Sequence, residues 1–290
     1  MRENVLEIGK YLFTFRAAED IHLPEYKGST FHGGLGTALR AVSPFWFNRL
    51  FCQDGTKPYI LLPPMDNDRI YPRGRTFQCE LTLVGEAASQ YSVCQAAFEY
   101  LGNRLGLGYR RGKFHLEGVE VASISPRFPG GECPSPVSAG EIVQNRSWLS
   151  DCSKISFHFI TRLRLKDNNR LLRNAPGFPV FFARLVGRLN SLSAFYGRGE
   201  LIPAGDRRGL MAEAERIELK DARIQWDDWS RFSARQKSWM KFGGLLGHIT
   251  WQGDFTPFMP YLALGEWLHV GGKTSFGLGK FVMEAGDGEY

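Results

Sequence analysis

The strongest constraint on the fold lies in residues 154–283, where apolar residues recur with two distinct periods. Residues 154–165 (KISFHFITRLRL) alternate between apolar and polar positions, which is typical of a strand with one buried face. Residues 179–196 repeat with a helical period, with Pro179 at the start and Gly197 just past the end. This half of the chain is therefore predicted to begin with a strand that is followed by a helix.

Four further predicted elements complete the pattern in this half of the chain. They are strands over 215–226 and 244–252, a short helix from Pro257 to about Leu268, and a last strand over 276–283. The resulting order is β-α-β-β-α-β, the order of a ferredoxin-like unit with two helices on one face of an antiparallel sheet. The predicted fold class is therefore α+β.

The first half of the chain is less regular but gives a related pattern. Its predicted elements are a strand over 8–16, a glycine-rich helix from about Thr30 to Val42 with Ser29 or Thr30 as N-cap, and strands over 77–85 and 91–99. They suggest a second, degenerate unit. Residues 123–140, rich in Pro, Gly and Ser, predict a linker, which gives domains at 1–140 and 141–290.

Cysteine usage and hydropathy set the expected compartment. The five cysteines are scattered without a CxxC pair, which favours reduced thiols over a disulfide framework or a zinc site. The start of the chain has no signal-peptide core, and no apolar run is long enough to span a bilayer. We therefore expect a cytoplasmic protein without a membrane partner.

The positive charge is concentrated in the second half of the chain. The net charge is +6, and residues 151–290 carry 20 Lys and Arg against 15 Asp and Glu, whereas residues 1–150 carry 16 against 15. A localised basic excess favours a polyanionic partner such as nucleic acid. Charge alone is equally compatible with a mildly basic surface that has no such partner.

The segment His269–Phe281 (HVGGKTSFGLGKF) combines four glycines with two lysines. A Walker A loop would need glycine at Trp267, and a G-x-G-x-x-G fingerprint would need it at Val282, so both motifs fail. Two interpretations stay open. Successive glycine amides form an anion-binding concavity beside Lys273 and Lys280, or the glycines only make a tight connection from helix to strand.

The order of a helix, then G-x-K-T-S-F-G-L-G-K, then a strand resembles the glycine-rich loop of the RAMP superfamily. The closest resemblance is to the CRISPR-associated endoribonucleases that process precursor CRISPR RNA. Residues 223–272 are similar to the C-terminal domain of that family, and KGSTFHGGLGTALR, Lys27–Arg40, is similar to its opening helix. The resemblance covers most of 150–284 and a patch near 20–52, and it implies two tandem ferredoxin-like (RAMP/RRM-like) domains.

Two segments are candidates for RNA contact. The first is the glycine-rich loop, with Gly271, Gly272, Lys273, Gly277, Gly279 and Lys280. The second is RFSARQKSWMKF, which carries no acidic residue and whose basic positions are Arg231, Arg235, Lys237 and Lys241. Its aromatic residues are expected in the core. Weaker candidates are Arg162, Arg164, Arg184 and Arg188.

RNA supplies its own nucleophile, the 2′-OH, so cleavage needs a general base, a general acid and positive charge, and neither a metal nor a cofactor is expected. In the family resembled, the acid/base is commonly a histidine near the first helix, which implies His32 or, less favourably, His22. Free amides at the helix start would favour a phosphate beside His32. Tyr26 and Lys27 would orient or stabilise. Alternatively, His32 only packs, and His158, His248 or His269 acts.

The leading hypothesis is a metal-independent endoribonuclease that cuts CRISPR repeat RNA and leaves a 5′-OH and a 2′,3′-cyclic phosphate. The first alternative is a non-catalytic RNA-binding RAMP subunit of a CRISPR effector complex. The second is a small-molecule enzyme whose glycine-rich loop holds a phosphorylated ligand, against which the failed Walker and Rossmann patterns count. Repeat RNA and effector subunits are the expected partners, for a monomer or homodimer.

Overall fold

The computed structural model describes residues 6–122, 136–146, 149, 151–228, 230–233 and 238–286, and of 230–233 and 238–241 only the backbone. These residues form two compact units. The first comprises Leu6–Ser138 together with Ser275–Gly277, and the second takes the remaining described residues from Ala139 onward. In the part of the chain described, no helix is both long and apolar enough to cross a bilayer.

The first unit is built on a four-stranded sheet with two main helices. In chain order its main elements are β1 (Glu7–Ala17), α1 (Gly28–Val42), β2 (Tyr59–Leu62), β3 (Thr76–Val84), α2 (Tyr91–Tyr100) and β4 (Phe114–Val121). The strands lie in the order β2-β3-β1-β4, and each neighbouring pair is antiparallel. This β-α-β-β-α-β topology is the ferredoxin-like arrangement.

The second unit repeats that topology. Its main elements are β5 (Lys154–Leu163), α3 (Phe178–Tyr196), β6 (Glu218–Asp227), β7 (Gly244–Gln252), α4 (Met259–Leu268) and β8 (Phe281–Ala285). The strand order is β6-β7-β5-β8, again antiparallel throughout. The predicted fold class, α+β with tandem ferredoxin-like domains, is confirmed.

Shorter elements connect these frameworks. The helical ones are Pro44–Phe47, Asn48–Cys52 and Leu101–Leu105 (both π), Gly85–Ala87 and Thr274–Phe276 (both 3₁₀), Ala139–Gln144 and Ala204–Ala214. The paired strands are Ile21–His22 with Ile70–Tyr71, Lys166–Asp167 with Arg170–Leu171, Ser230–Ser233 with Ser238–Lys241, and Val137–Ser138 with β1.

Each core follows from the periodicity of its strands and helices. In β5 the apolar phase that includes Ile155 and Phe157 is fully buried, whereas Ile160, on the opposite phase, is 41% exposed. Phe157 packs edge-on against Trp251 of β7 and Phe181 of α3, with ring centroids 4.8 and 5.5 Å apart. The alternating strand therefore presents one face to its helix, as its sequence predicts.

The first unit departs from the sequence-based predictions in three elements. Residues 91–99, predicted as a strand, form helix α2, because Cys94, Ala97 and Phe98 are buried at helical spacing. The sequence prediction also omitted β2 and β4.

Two predicted boundaries are wrong as well. Helix α1 begins at Gly28 with Lys27 as N-cap and no side-chain cap, so Ser29 and Thr30 lie inside the helix. Strand β8 starts at Phe281 instead of 276, because Thr274–Phe276 form a 3₁₀ turn.

Candidate active site around His32

His32 lies on α1 in the first unit and is half-buried. Its Nε2 atom is 2.7 Å from the hydroxyl oxygen of Tyr59, a buried residue of β2. Because α1 begins at Gly28, His32 is one turn into the helix, and the amides of Thr30 and Phe31 already donate to the Lys27 carbonyl. The prediction that His32 sits at a free helix start is therefore wrong, and the side-chain contacts define its surroundings instead.

Aromatic rings fix the plane of the His32 imidazole. The ring of Phe276 stacks on it, with centroids 3.9 Å apart and an interplanar angle of 17°. Phe51 approaches at a tilt with a centroid distance of 5.0 Å. With the Tyr59 hydrogen bond, these contacts leave the imidazole little rotational freedom, which is a property required of a positioned acid/base group.

A hydrogen bond from Tyr26 holds Phe276 near His32, and two glycines leave the space that this approach requires. The Tyr26 hydroxyl donates a hydrogen bond to the Phe276 carbonyl oxygen. A Cβ at Gly28 would lie 2.6 Å from that same oxygen, and Gly277, with φ of +85°, would place a Cβ 2.9 Å from the carbonyl oxygen of Leu61. Both positions therefore require glycine for the close approach of this segment.

The hydroxyl of Tyr59 stays protonated over the physiological pH range. Burial raises the pKa of Tyr59 well above its ordinary value, and a hydrogen bond with Ser275 only partly offsets this. The hydroxyl can therefore donate to Nε2 of a neutral His32 whose proton is on Nδ1, and it can accept from Nε2 of a protonated one. His32 therefore keeps a hydrogen-bond partner in both protonation states. A group that takes up and releases a proton during catalysis needs this property.

Lys27 stabilises the start of α1 from inside the fold. Its side chain is 1% exposed, and its Nζ atom lies 2.6 Å from the carbonyl oxygen of Asp66 and 3.3 Å from the Asp66 carboxylate. Burial raises the pKa of Asp66, but hydrogen bonds from Tyr71 and Lys27 and the Lys27 charge outweigh it and lower the pKa. Lys27 thus acts on the position of the helix and is not presented to a ligand at the surface.

The other candidate histidines lie in environments that differ from one another. His269 is fully buried, with Nδ1 3.1 Å from the Leu278 carbonyl oxygen. His158 and His248 are cross-strand neighbours on β5 and β7, with ring centroids 5.4 Å apart. His22 is half-buried in the first unit. Among the described histidines, His32 therefore has the most constrained imidazole that is not fully buried.

The glycine-rich loop has a buried part and an exposed part. Gly277 and Gly279 are buried, whereas Gly272 and Lys273 are exposed. The amides of Gly272 and Gly279 donate to the carbonyl oxygens of Arg164 and Arg162, at 2.9 and 3.1 Å. These bonds favour the tight-connection interpretation for Gly279 over a concavity of open amides.

The two lysines of the loop differ in exposure. The exposed Lys273 has its Nζ atom 5.6 Å from the Phe242 ring centroid. The half-buried Lys280 donates its backbone amide to Thr161 Oγ1 at 2.8 Å. The exposed surface of this loop is therefore centred on Gly272 and Lys273, of which only Lys273 has a side chain to offer a phosphate.

The remaining basic candidates have different environments. Arg231 and Lys241 lie on paired strands whose side chains are not described, and Arg235 and Lys237 lie outside the described residues. Of the weaker candidates, Arg184 is exposed.

Three of these arginines are engaged within the second unit. Arg162 pairs with Asp227, Arg164 donates to the carbonyl oxygen of Gly243, and Arg188 Nε donates to the carbonyl oxygen of Leu268 at 2.8 Å. These contacts give the three side chains structural roles.

Comparison with known proteins finds two families that match parts of the chain. Residues 155–281 match the family described as CRISPR-associated endoribonuclease Cas6, and residues 6–54 and 47–128 match a family described as an N-terminal domain. Over residues 155–281 the chain is therefore similar to the Cas6 family. No curated protein matches it significantly.

Solved structures share the fold of this chain over nearly its whole length. A Cas6 product complex has a TM-score of 0.65 at 18% identity, covering 96% of this chain and 99% of that one. Thermus thermophilus Cas6 has a TM-score of 0.64 at 16% identity, covering 96% and 99%. A RAMP protein binding different RNA substrates reaches 0.54 at 10% identity, covering 95% and 99%.

Sequence reasoning found His32 but missed the residues that surround it. Tyr59, Phe51 and Phe276 are separated from His32 by 27, 19 and 244 positions in the chain. Tyr59 lies in the run YILL, which is too short for its periodicity to predict a strand. Tertiary contacts alone bring these side chains together around His32.

Proposed function

We propose that this chain is a metal-independent endoribonuclease that cleaves CRISPR repeat RNA and leaves a 5′-OH and a 2′,3′-cyclic phosphate. The observation that carries the proposal is the constrained imidazole of His32, whose Nε2 lies 2.7 Å from the Tyr59 hydroxyl. The Cas6 family match supports repeat RNA as the substrate.

The chemistry assigned to His32 is general acid/base catalysis. As a base, His32 takes the proton of the ribose 2′-OH at the cut site while the 2′-oxygen attacks the adjacent phosphorus. The bond from phosphorus to the 5′-oxygen breaks, and an acid protonates that leaving oxygen. The phosphate becomes the 2′,3′-cyclic ester, and no external nucleophile is consumed.

Tyr26 and Lys27 are proposed as positioning residues for this chemistry. Tyr26 holds the Phe276 carbonyl oxygen and thereby keeps the Phe276 ring on the imidazole. Lys27 anchors the start of α1 through Asp66. Neither residue is proposed to contact the scissile phosphate, since both are more than nine-tenths buried.

The proposed division of labour follows the two domains, 1–140 and 141–290. The N-terminal domain supplies His32. The C-terminal domain holds RNA phosphates through the exposed part of its glycine-rich loop and through a basic hairpin, the proposed contacts being Gly271, Gly272, Lys273, Lys280, Arg231, Arg235, Lys237 and Lys241. Lysine and arginine attract the RNA backbone independently of sequence. We propose that the protein acts as a monomer or homodimer, with CRISPR effector subunits as further partners.

A non-catalytic RNA-binding subunit is the second candidate function. It is favoured by the same packing that fixes His32, because an imidazole stacked on Phe276 and bonded to Tyr59 also serves to hold the chain together. The two functions differ in one property, which is whether the bound repeat RNA is cut.

The test is cleavage of an end-labelled CRISPR repeat RNA from the source organism in EDTA, beside a repeat with 2′-deoxyribose at the cut site. We expect cutting of the first RNA only, and a loss of about 10²–10⁴-fold in rate for His32→Ala. The matched control is His115→Ala, which removes an exposed histidine of the same unit and should retain full activity.

Each of the other outcomes contradicts part of the proposal. Cutting that requires a divalent metal would refute the metal-independent mechanism. Cutting that persists in His32→Ala would keep the activity and refute the role of His32. Tight binding without cutting by the unmodified protein would establish the non-catalytic subunit instead.

A further inference from the structure

The first unit carries a groove on a face of α1 that does not include His32. Its volume is about 580 Å³, within the range of about 300–1,000 Å³ typical of sites for small organic molecules. Ser29, Gly33 and Thr37 line it from the helix. Thr30 and Gly34 also line it, and His32 does not.

The opposite wall of the groove is a tight turn, Leu107–Gly112, with the sequence LGYRRG. Leu107 and Gly112 exchange two backbone hydrogen bonds, of 2.9 and 3.0 Å. The amide of Tyr109 donates to the His22 carbonyl oxygen at 2.9 Å, which ties the turn to the other side of the groove. The backbone beneath Tyr109 is therefore fixed, while its side chain is 88% exposed.

The turn also presents positive charge. Arg110 and Arg111 are exposed, and within the described part of the chain neither side chain has a hydrogen bond or ion pair. Arg111 has a backbone φ of +55°, a conformation that residues other than glycine rarely adopt. The residues that line the groove include no carboxylate. An exposed ring on a fixed backbone, flanked by two unpaired guanidinium groups, is suited to an unpaired base with its phosphates.

We propose that this groove binds an unpaired stretch of the RNA, with one base stacked on Tyr109 and the flanking phosphates held by Arg110 and Arg111. The hydroxyl groups of Ser29 and Thr30 lie on the opposite wall, where they can bond to ribose 2′-OH groups. The inference rests on the proposed function, since it extends the RNA contacts of that function to a region separate from His32.

The test measures binding of the repeat RNA with 2′-deoxyribose at the cut site by fluorescence anisotropy, so that cleavage does not enter. Tyr109→Ala is expected to weaken binding about 5- to 150-fold, as the loss of one base stack implies, whereas Tyr109→Phe should stay near the unmodified protein. Arg110→Ala with Arg111→Ala should lower the slope of log affinity against log salt by about 0.7 for each lost phosphate contact.

The matched control is Arg73→Ala, which removes another exposed arginine of the same unit and should leave the affinity unchanged. A 4-thiouridine repeat should crosslink to the peptide that contains Tyr109. If the protein binds repeat RNA but Tyr109→Ala and the double arginine variant bind it equally well, the groove is not an RNA site and the proposed function stands. If the unmodified protein binds no repeat RNA, the proposed function fails and this inference fails with it.

Discussion

Replacing Gly28 by alanine should disrupt the His32 site even though alanine is the better helix former. Alanine stabilises a helix by about 1 kcal/mol over glycine. At this position, however, its Cβ would lie 2.6 Å from the Phe276 carbonyl oxygen and 2.4 Å from the Tyr26 ring. Overpacking of this kind costs about 1–3 kcal/mol, and the loss of the Tyr26 hydrogen bond adds about 1 kcal/mol. The expected net destabilisation is about 1–3 kcal/mol.

Gly33 on the same helix supplies the matched control. A Cβ at Gly33 meets no heavy atom within 4 Å, so Gly33→Ala should stabilise the helix by about 0.5–1 kcal/mol. The two variants make the same chemical change and are expected to shift stability in opposite directions.

The assay combines urea unfolding with hydrogen exchange and RNA cleavage. Gly28→Ala should lower the urea midpoint, raise exchange in the peptides that contain α1 and Ser275–Gly277, and slow cleavage because His32 loses its stacked partner. A Gly28→Ala protein that matches Gly33→Ala in stability and leaves exchange around Phe276 unchanged would refute the packing argument.

Three further changes test other parts of the structure. Tyr59→Phe removes only the hydroxyl bonded to His32, so single-turnover cleavage should slow about tenfold with RNA affinity unchanged; equal rates would exclude a role for that bond. The pKa of Asp66 lies below its ordinary value of 3.8, so ionised Asp66 stabilises the fold at neutral pH and this contribution is lost as the pH falls below about 4. Urea midpoints measured from neutral to acidic pH should therefore fall less steeply for Asp66→Asn than for the unmodified protein. Phe157→Ala removes a fully buried ring and should cost about 3–5 kcal/mol, read from the urea midpoint of the second unit.

The second unit was largely predictable because its elements have unambiguous periods. Strand β7 has the bounds predicted from the sequence, and α3 begins one residue before its predicted start. The two long patterns, alternation in β5 and helical spacing in α3, each span at least ten residues. Patterns of that length distinguish a strand from a helix without tertiary information.

The first unit was harder to predict because its elements are short and apolar. In α2 (YSVCQAAFEY) the alternation of apolar and polar residues fits a strand over several positions, and tertiary packing decides for the helix. In the four-residue β2 every position is buried, so its sequence carries no period.

The residues around His32 could be predicted only in part. A histidine near the start of α1 is visible in the sequence through the resemblance to RAMP proteins. Its contacts with Tyr59 and Phe276 depend on the order of the strands and on a segment 244 positions away. Neither local propensity nor periodicity carries that information.

The assignment of Ser275–Gly277 to the first unit has a consequence for how the protein is made. A ribosome that has released only the first 138 residues has produced all four strands of the first sheet, but not the ring that stacks on His32. That ring belongs to Phe276, 138 positions further along the chain. The imidazole therefore acquires its complete surroundings only after Phe276 has been synthesised, and a product truncated before Ser275 carries an unfinished site.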